Sequence, residues 1–223
     1  MLPRVLLASA PMPDTDRELR LYQSGDLFSI KIMGRGELMN SQLHGSERAL
    51  AELACARMAP GPHPRLLVGG LGMGYTLAAA LAATGPGAEV VVAELVPEVV
   101  DWNRELFGDK AGHPLADPRC TVYIGDVGDP IRQPGTGFDA ILLDVDNGPE
   151  GLIRRENDWL YGHAGLQAAR AALRPGGVLA VWSASRDAPF TKRLKLAGFR
   201  IEEVVVRPHR PGKGPRHHLW LAT

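Results

Sequence analysis

Leu66-Leu67-Val68-Gly69-Gly70-Leu71-Gly72-Met73-Gly74-Tyr75-Thr76-Leu77 decides the fold. A short apolar run breaks into four glycines within six residues and continues as an alanine-rich helix. Glycine is needed where backbone turns sharply and comes close to another group, because a Cβ would collide. The helix that follows aims its unpaired N–H groups and its positive dipole end at whatever lies beyond the turn. Glu94 closes the next apolar run, Glu89-Val90-Val91-Val92-Ala93, twenty residues past Gly74. A carboxylate at that place can accept both hydroxyls of a ribose, so the pattern reads as a nucleoside site. Gly70, Gly72 and Gly74 are spaced G-x-G-x-G, and Tyr75 stands where a pyrophosphate loop would carry its last glycine. That spacing argues against nicotinamide or flavin dinucleotides and for a ligand without phosphates. S-adenosylmethionine and its decarboxylated form both fit.

Strand and helix patterns alternate outward from this turn. Strands are expected at 65–69, 89–94, 120–124, 138–144 and 178–183, and helices at 74–84, 97–107, 161–173 and 188–197. Pro97 suits a first helical turn, and Arg174-Pro175-Gly176-Gly177 is a helix stop. Strands 199–207 and 216–222, joined by a Pro/Gly loop, read as a closing hairpin. Repeated β–α units of this length imply a Rossmann-like, doubly wound, mostly parallel sheet of about seven strands with an antiparallel C-terminal strand. Ligands bind such sheets beyond the carboxyl ends of the strands, where the glycines and strand-end acids all fall.

Ahead of this region, Leu27-Phe28-Ser29-Ile30-Lys31-Ile32 alternates at period two, turns at Gly34-Arg35-Gly36 and returns through Glu37 to Asn40. Val5 to Ala10 reads as an edge strand or loose terminus, since its apolar core is too short for a secretory signal and Pro11 ends it. Residues 46–58 form a helix with Ser46 as its cap, followed by the stiff linker Pro60-Gly61-Pro62-His63-Pro64. The expected division is a small N-terminal β-hairpin appendage, 1–45, and a nucleoside-binding catalytic domain, 46–223.

Lysines and arginines total 25, as do aspartates and glutamates, so no overall field favours nucleic acid or an anionic membrane. No apolar run is long enough to span a bilayer. Cys55 and Cys120 are far apart with no metal-type spacing, which fits a reduced, cytoplasmic protein and no metal. The basic stretch 207–216 reads as a solvated hairpin loop.

Three strand-end acids are candidates for chemistry. Asp126, after Val122-Tyr123-Ile124-Gly125, can accept from an adenine amino group, with the Val127 backbone reading the ring; the competing reading is a simple turn aspartate. Asp144 and Asp146, followed by Asn147-Gly148-Pro149, make an acidic mouth that would attract an amine and take its proton. The competing reading has one of them capping the next helix or pairing with Arg154 or Arg155. Trp159 and Tyr161 either wall a substrate pocket or simply pack. Trp102 and Trp182 read as core. His44 reads as structural, and His217 and His218 point to opposite sheet faces. Ser183, Ser185 and Arg186 lie at a strand end without a nucleophile-elbow motif.

The order Leu67-Val68-Gly69-Gly70…Gly74, then Glu94, then Gly125-Asp126, then Phe138 to Asp144, resembles the spermidine synthase family of aminopropyltransferases, within the Rossmann-like methyltransferase-fold class. Leu21-Tyr22-Gln23 and Phe28-Ser29-Ile30 are similar to that family's N-terminal domain, and the resemblance covers about residues 20–185. It implies that Glu94 holds the ribose, Asp126 the adenine, and that Gln23 joins the cofactor contacts. It implies that Asp144, with Asp146 beside it, deprotonates an attacking small-molecule amine. The donor would be decarboxylated S-adenosylmethionine, the setting polyamine biosynthesis and the assembly a homodimer. The chain departs from the family at three places. Gly72 stands near the family's loop acid, Asn147 stands where its second loop acid falls, and helix 46–58 offers only Glu47 and Glu52 and no tyrosine. A methyltransferase acting on a small molecule with S-adenosylmethionine, and a non-catalytic nucleoside-binding relative, therefore remain as alternatives.

Overall fold

The computed structural model describes residues 3–13, 15–133, 135, 137–145, 149, 157–207 and 216–223. Four antiparallel strands open the chain: β1 (Val5–Pro11), β2 (Glu18–Ser24), β3 (Leu27–Ile32) and β4 (Gly36–Asn40), in that order across the sheet. The hairpin expected over 27–40 is present as β3–β4. It is extended by β2, and by β1 as the edge strand, since Leu19 and Leu21 are apolar on the same face as Ile30 and all three are buried. Helix α1 (Gly45–Cys55) follows. It starts one residue earlier than the pattern predicts and takes His44, not Ser46, as its cap residue.

Next come β5 (Arg65–Gly69), α2 (Tyr75–Ala83), β6 (Glu89–Glu94) and α3 (Pro97–Glu105). They are followed by β7 (Cys120–Ile124), α4 (Gly128–Arg132), β8 (Phe138–Leu143), α5 (Asn157–Tyr161) and α6 (His163–Ala172). The chain closes with β9 (Leu173–Ser183), α7 (Ala188–Leu196), β10 (Ile201–Val206) and β11 (His217–Ala222). Strand order is β10-β11-β9-β8-β5-β6-β7, with β7, β6, β5, β8 and β9 parallel and β11 antiparallel between β9 and β10. The expected order of strands and helices is the observed one, but β9 begins at Leu173 and runs through residues 174–177, where the pattern places a helix stop. Short α4 has no counterpart in the sequence pattern, and α3 ends early in two 3₁₀ turns at Gly108–Ala111 and Pro114–Ala116.

The central strands are apolar on both faces because helices cover both. Leu66 and Val68 of β5 join Ala140 and Leu142 of β8 in one core, which also takes in Leu21 and Ile30 of the first sheet and Leu50 of α1. Leu67, Ile141 and Leu143 point the other way, into a second core with Leu166 of α6 and Phe190 and Leu194 of α7. The order of parallel strands reverses between β5 and β8, and the crevice at such a switch point opens at the strands' carboxyl ends. The first sheet lies over that opening through the shared core.

Candidate active site

Backbone hydrogen bonds continue past the strand ends and lock the rim together. Asp144 N donates to Gly69 O, Gly70 N to Ala93 O and Gly125 N to Glu94 O, each at 2.9 Å. The loop after β5 turns through Gly70 at φ +86°, where a Cβ would collide with the carbonyl oxygen of Asp144. Glycine is required at this turn by the neighbouring strand's backbone as well as by any ligand. Gly72 faces the first sheet, with its missing Cβ 2.9 Å from Met39 Sδ. Gly74 turns away from the opening, toward Asn103 and Pro114, and begins α2. Asn103 holds the loop from beneath, its Nδ2 donating to Gly72 O at 2.8 Å and to Val99 O at 2.9 Å.

Glu94 is buried, and each of its oxygens accepts a backbone N–H: Oε2 from Leu71 and Oε1 from Val96, both at 2.9 Å. Burial raises its pKa while these donors work in the opposite direction. The Gly72 and Leu95 backbone also acts on the carboxylate, and Glu94 lines the cleft. Asp126 accepts from Gly128 N at 2.6 Å, as a turn aspartate does, and it also borders the cleft beside Gly125 and Val127. The cleft, about 810 Å³ with the open solvent at its mouth included, has Glu94, Asp126 and Asp144 as its acids and Met12, Leu19, Ile30, Leu38 and Met39 of the N-terminal segment as an apolar wall. Gln23 is not part of that lining; its amide donates to Gly25 O at 3.0 Å in the turn after β2.

A second cavity, about 1040 Å³, adjoins the first, and Leu38, Met39, Gly72 and Asp144 line both. Leu38 and Met39 are consecutive, so a regular strand would turn them to opposite faces. The pairing shifts between Ile30–Met39 and Lys31–Glu37, and this bulge brings both side chains to the site. The second cavity adds Glu37, Glu47, Tyr75, Thr76, Trp182 and His217.

Asp144 stands at the junction. Its Oδ2 accepts from Thr76 Oγ1 at 2.5 Å. Asp144 is half-buried, and the desolvation of its carboxyl, followed by the charge of Glu47, pushes its pKa to about 7 against the opposing effect of Thr76. Glu47 is likewise raised by burial, opposed first by Ser46 Oγ, which donates to its Oε2 at 2.6 Å. The same hydroxyl lies 2.7 Å from His217 Nδ1. Burial, and then His218, lower the His217 pKa, which favours a neutral ring. Trp182 packs edge-on to His217 at 4.7 Å, and its indole Nε1 has no hydrogen-bond partner among the described residues.

The structure therefore brings Gly70, Gly72, Glu94, Asp126, Val127 and Asp144 to one opening and leaves Gly74 and Gln23 outside it. Asp146, Asn147, Arg154 and Arg155 lie outside the described residues. Tyr161 is buried edge-on to Phe190 at 5.6 Å, Trp159 lies under the Arg132 guanidinium at 3.6 Å, and neither lines either of these two cavities. His44 stacks on Tyr75 at 4.0 Å, Ser183 is buried, and Arg186 faces Glu203 at 3.8 Å. The sequence pattern assigns Trp182 to the core and Ser46 to a cap. Their places beside Thr76, Glu47 and His217 carry no local signal, since Ser46 and His217 are 171 residues apart. Among the described residues no group of three or more His, Cys, Asp or Glu side chains could hold a metal ion, and no helix is long and apolar enough to cross a membrane.

Sheet order, switch-point crevice and glycine turn define a protein of the Rossmann-like, methyltransferase-fold superfamily. The spermine/spermidine synthase domain profile matches residues 60–192, and the chain belongs to that family. Among solved structures it is similar to spermidine synthase from Thermotoga maritima, at 17% identity and TM-score 0.74. It is also similar to a spermidine synthase in complex with the transition state analogue AdoDATO, at 18% and 0.71; each alignment covers 97% of this chain and 71% of the other. A probable spermidine synthase from Corynebacterium glutamicum aligns over 98% of this chain and 79% of its own, at 18% and 0.65. Curated proteins yield no match.

Proposed function

We propose that this chain is a transferase of the aminopropyltransferase type, moving an aminopropyl group from decarboxylated S-adenosylmethionine to a small amine. The observation that carries the reading is Asp144. Its carboxyl stands where the nucleoside cleft meets a second, acid-lined cavity, and its pKa of about 7 suits a proton acceptor at neutral pH. In the reaction, the amine nitrogen attacks the carbon next to the sulfonium, the S–C bond breaks, methylthioadenosine leaves and the nitrogen's proton passes to Asp144. Glu94 and Asp126 would hold the nucleoside by ribose and adenine, with Gly70 and Gly72 close beneath. Glu47 and Glu37 give the second cavity the charge that draws a cation. Family membership supports the reaction class, and the AdoDATO-bound relative supports this kind of donor. Cytoplasmic polyamine biosynthesis by a homodimer is the setting we assign to it.

One observation favours a second reading. Gly72 faces the thioether of Met39, so no acid of the loop marks the end of a donor tail. A methyltransferase using intact S-adenosylmethionine would need none there. Calorimetry with S-adenosylmethionine, its decarboxylated form and methylthioadenosine separates the two. The proposal expects the decarboxylated donor to bind at least about tenfold more tightly than the carboxylated one, a difference of about 1.4 kcal/mol. Preference for the carboxylated molecule would overturn it.

A further inference from the structure

We propose that Glu47, Ser46 and His217 form the exit route for the proton released at each transfer; the inference rests on the transferase reading. A sulfonium and an ammonium enter the site, while a neutral thioether and one secondary ammonium leave. One proton must therefore depart per turnover. Asp144 takes it, yet its Oδ2 is occupied by Thr76, and the two cavities that it lines would be filled by donor and amine. Retained there, the proton would block the next cycle.

Glu47 faces the same cavity and is near enough for its charge to act on Asp144. It is the member of the pair with a route outward. Ser46 Oγ lies 2.6 Å from Glu47 Oε2 and 2.7 Å from His217 Nδ1, both within hydrogen-bonding distance. Ser46 itself is fully buried, and its hydroxyl joins two elements from opposite ends of the chain, α1 and β11. His217 is half-buried at the cavity wall. Asp144 first passes the proton to Glu47 through a water in the cavity that both line. In the outward step protonated Glu47 becomes the donor to Ser46 Oγ, and the hydroxyl, which donates to ionised Glu47 at rest, turns its own proton to Nδ1 of the neutral ring. Nε2 then releases its proton to water. Return of the ring proton to Nε2 resets the chain. The titratable groups facing His217 are Glu47 on α1, Asp144 after β8, Glu37 on the cavity wall and His218 beside it on β11. Tyr75 offers no parallel path, because its hydroxyl donates to Ser41 O at 2.9 Å.

Ser46→Ala and His217→Ala test the relay in the full chain, with Ser46→Thr and His217→Gln as conservative companions should either misfold. Turnover at saturating donor and amine is expected to fall about tenfold or more below pH 7 in the alanine variants, with donor KM unchanged. Imidazole in the buffer restores turnover in His217→Ala, and Ser46→Thr retains it. A merely structural role would be insensitive to buffer. Independently of turnover, NMR titration of His217 should move when Glu47 is changed to Gln, and Ser46→Ala should abolish that response. Transfer by the wild type with buffer-independent, undiminished rates in both alanine variants overturns the relay alone. Lack of transfer by the wild type, with His217 still coupled to Glu47, overturns the transferase reading and leaves only the hydrogen-bonded chain.

Discussion

Changing Asp144 to asparagine should make the free protein more stable and the enzyme much slower. The carboxyl has its pKa raised from an ordinary 3.8 to about 7, mainly by burial and then by the neighbouring charge of Glu47. A carboxyl with a raised folded-state pKa binds its proton more tightly folded than unfolded. Its contribution is therefore fully favourable below about pH 4 and is lost as pH rises toward 7. The ceiling on that loss is the distance from 3.8 to about 7, or about 4 kcal/mol, and the shared charge with Glu47 reduces what one substitution recovers. Asparagine keeps the shape and the acceptor for Thr76 Oγ1, so a gain of about 1–3 kcal/mol is expected at pH 8, about 3–10 °C in Tm for a chain of this size. The same change removes the proton acceptor and should lower kcat by about 10²–10⁴, or about 3–5 kcal/mol. Wild-type kcat should climb with pH through about 7 and level off above it. Thermal unfolding from pH 4 to 8, beside turnover of both proteins, tests this. A variant that is less stable at pH 8, or that turns over like wild type, would refute the assignment of a desolvated, proton-accepting carboxyl.

Two further substitutions probe the rim. Gly70→Ala sets a Cβ against the Asp144 carbonyl oxygen at a left-handed φ, so it should cost about 2–4 kcal/mol in urea unfolding and displace Asp144; a loss below about 0.5 kcal/mol would mean that the strand ends move apart freely. Glu94→Gln turns one of two acceptors into a donor facing a backbone N–H; expected are about 1–3 kcal/mol of lost stability and about tenfold or greater loss of methylthioadenosine affinity by calorimetry.

Much of the site is legible in the order of residues. A strand running into glycines, an acid at the end of the next strand and apolar runs ending in Asp126 and Asp144 all follow from the periodicity of parallel strands and the chemistry of strand ends. The glycines illustrate the limit. Gly70 and Gly74 are alike in sequence and both have positive φ, but one meets Asp144 at the opening and the other packs on Asn103 behind it. Gln23 enters only through family resemblance, and the turn after β2 holds its amide.

The amino-acid order alone determined the alternation of strands and helices and the edge at which the acids gather, because both depend on patterns a few residues long. Tertiary structure decided which side chains meet there. The bulge that turns Leu38 and Met39 inward comes from pairing between strands. The meeting of Ser46, Glu47 and His217 comes from packing α1 against the end of the sheet. Burial and charge are properties of that assembled neighbourhood, so the proton affinity of Asp144 could emerge only once the distant segments had closed around it.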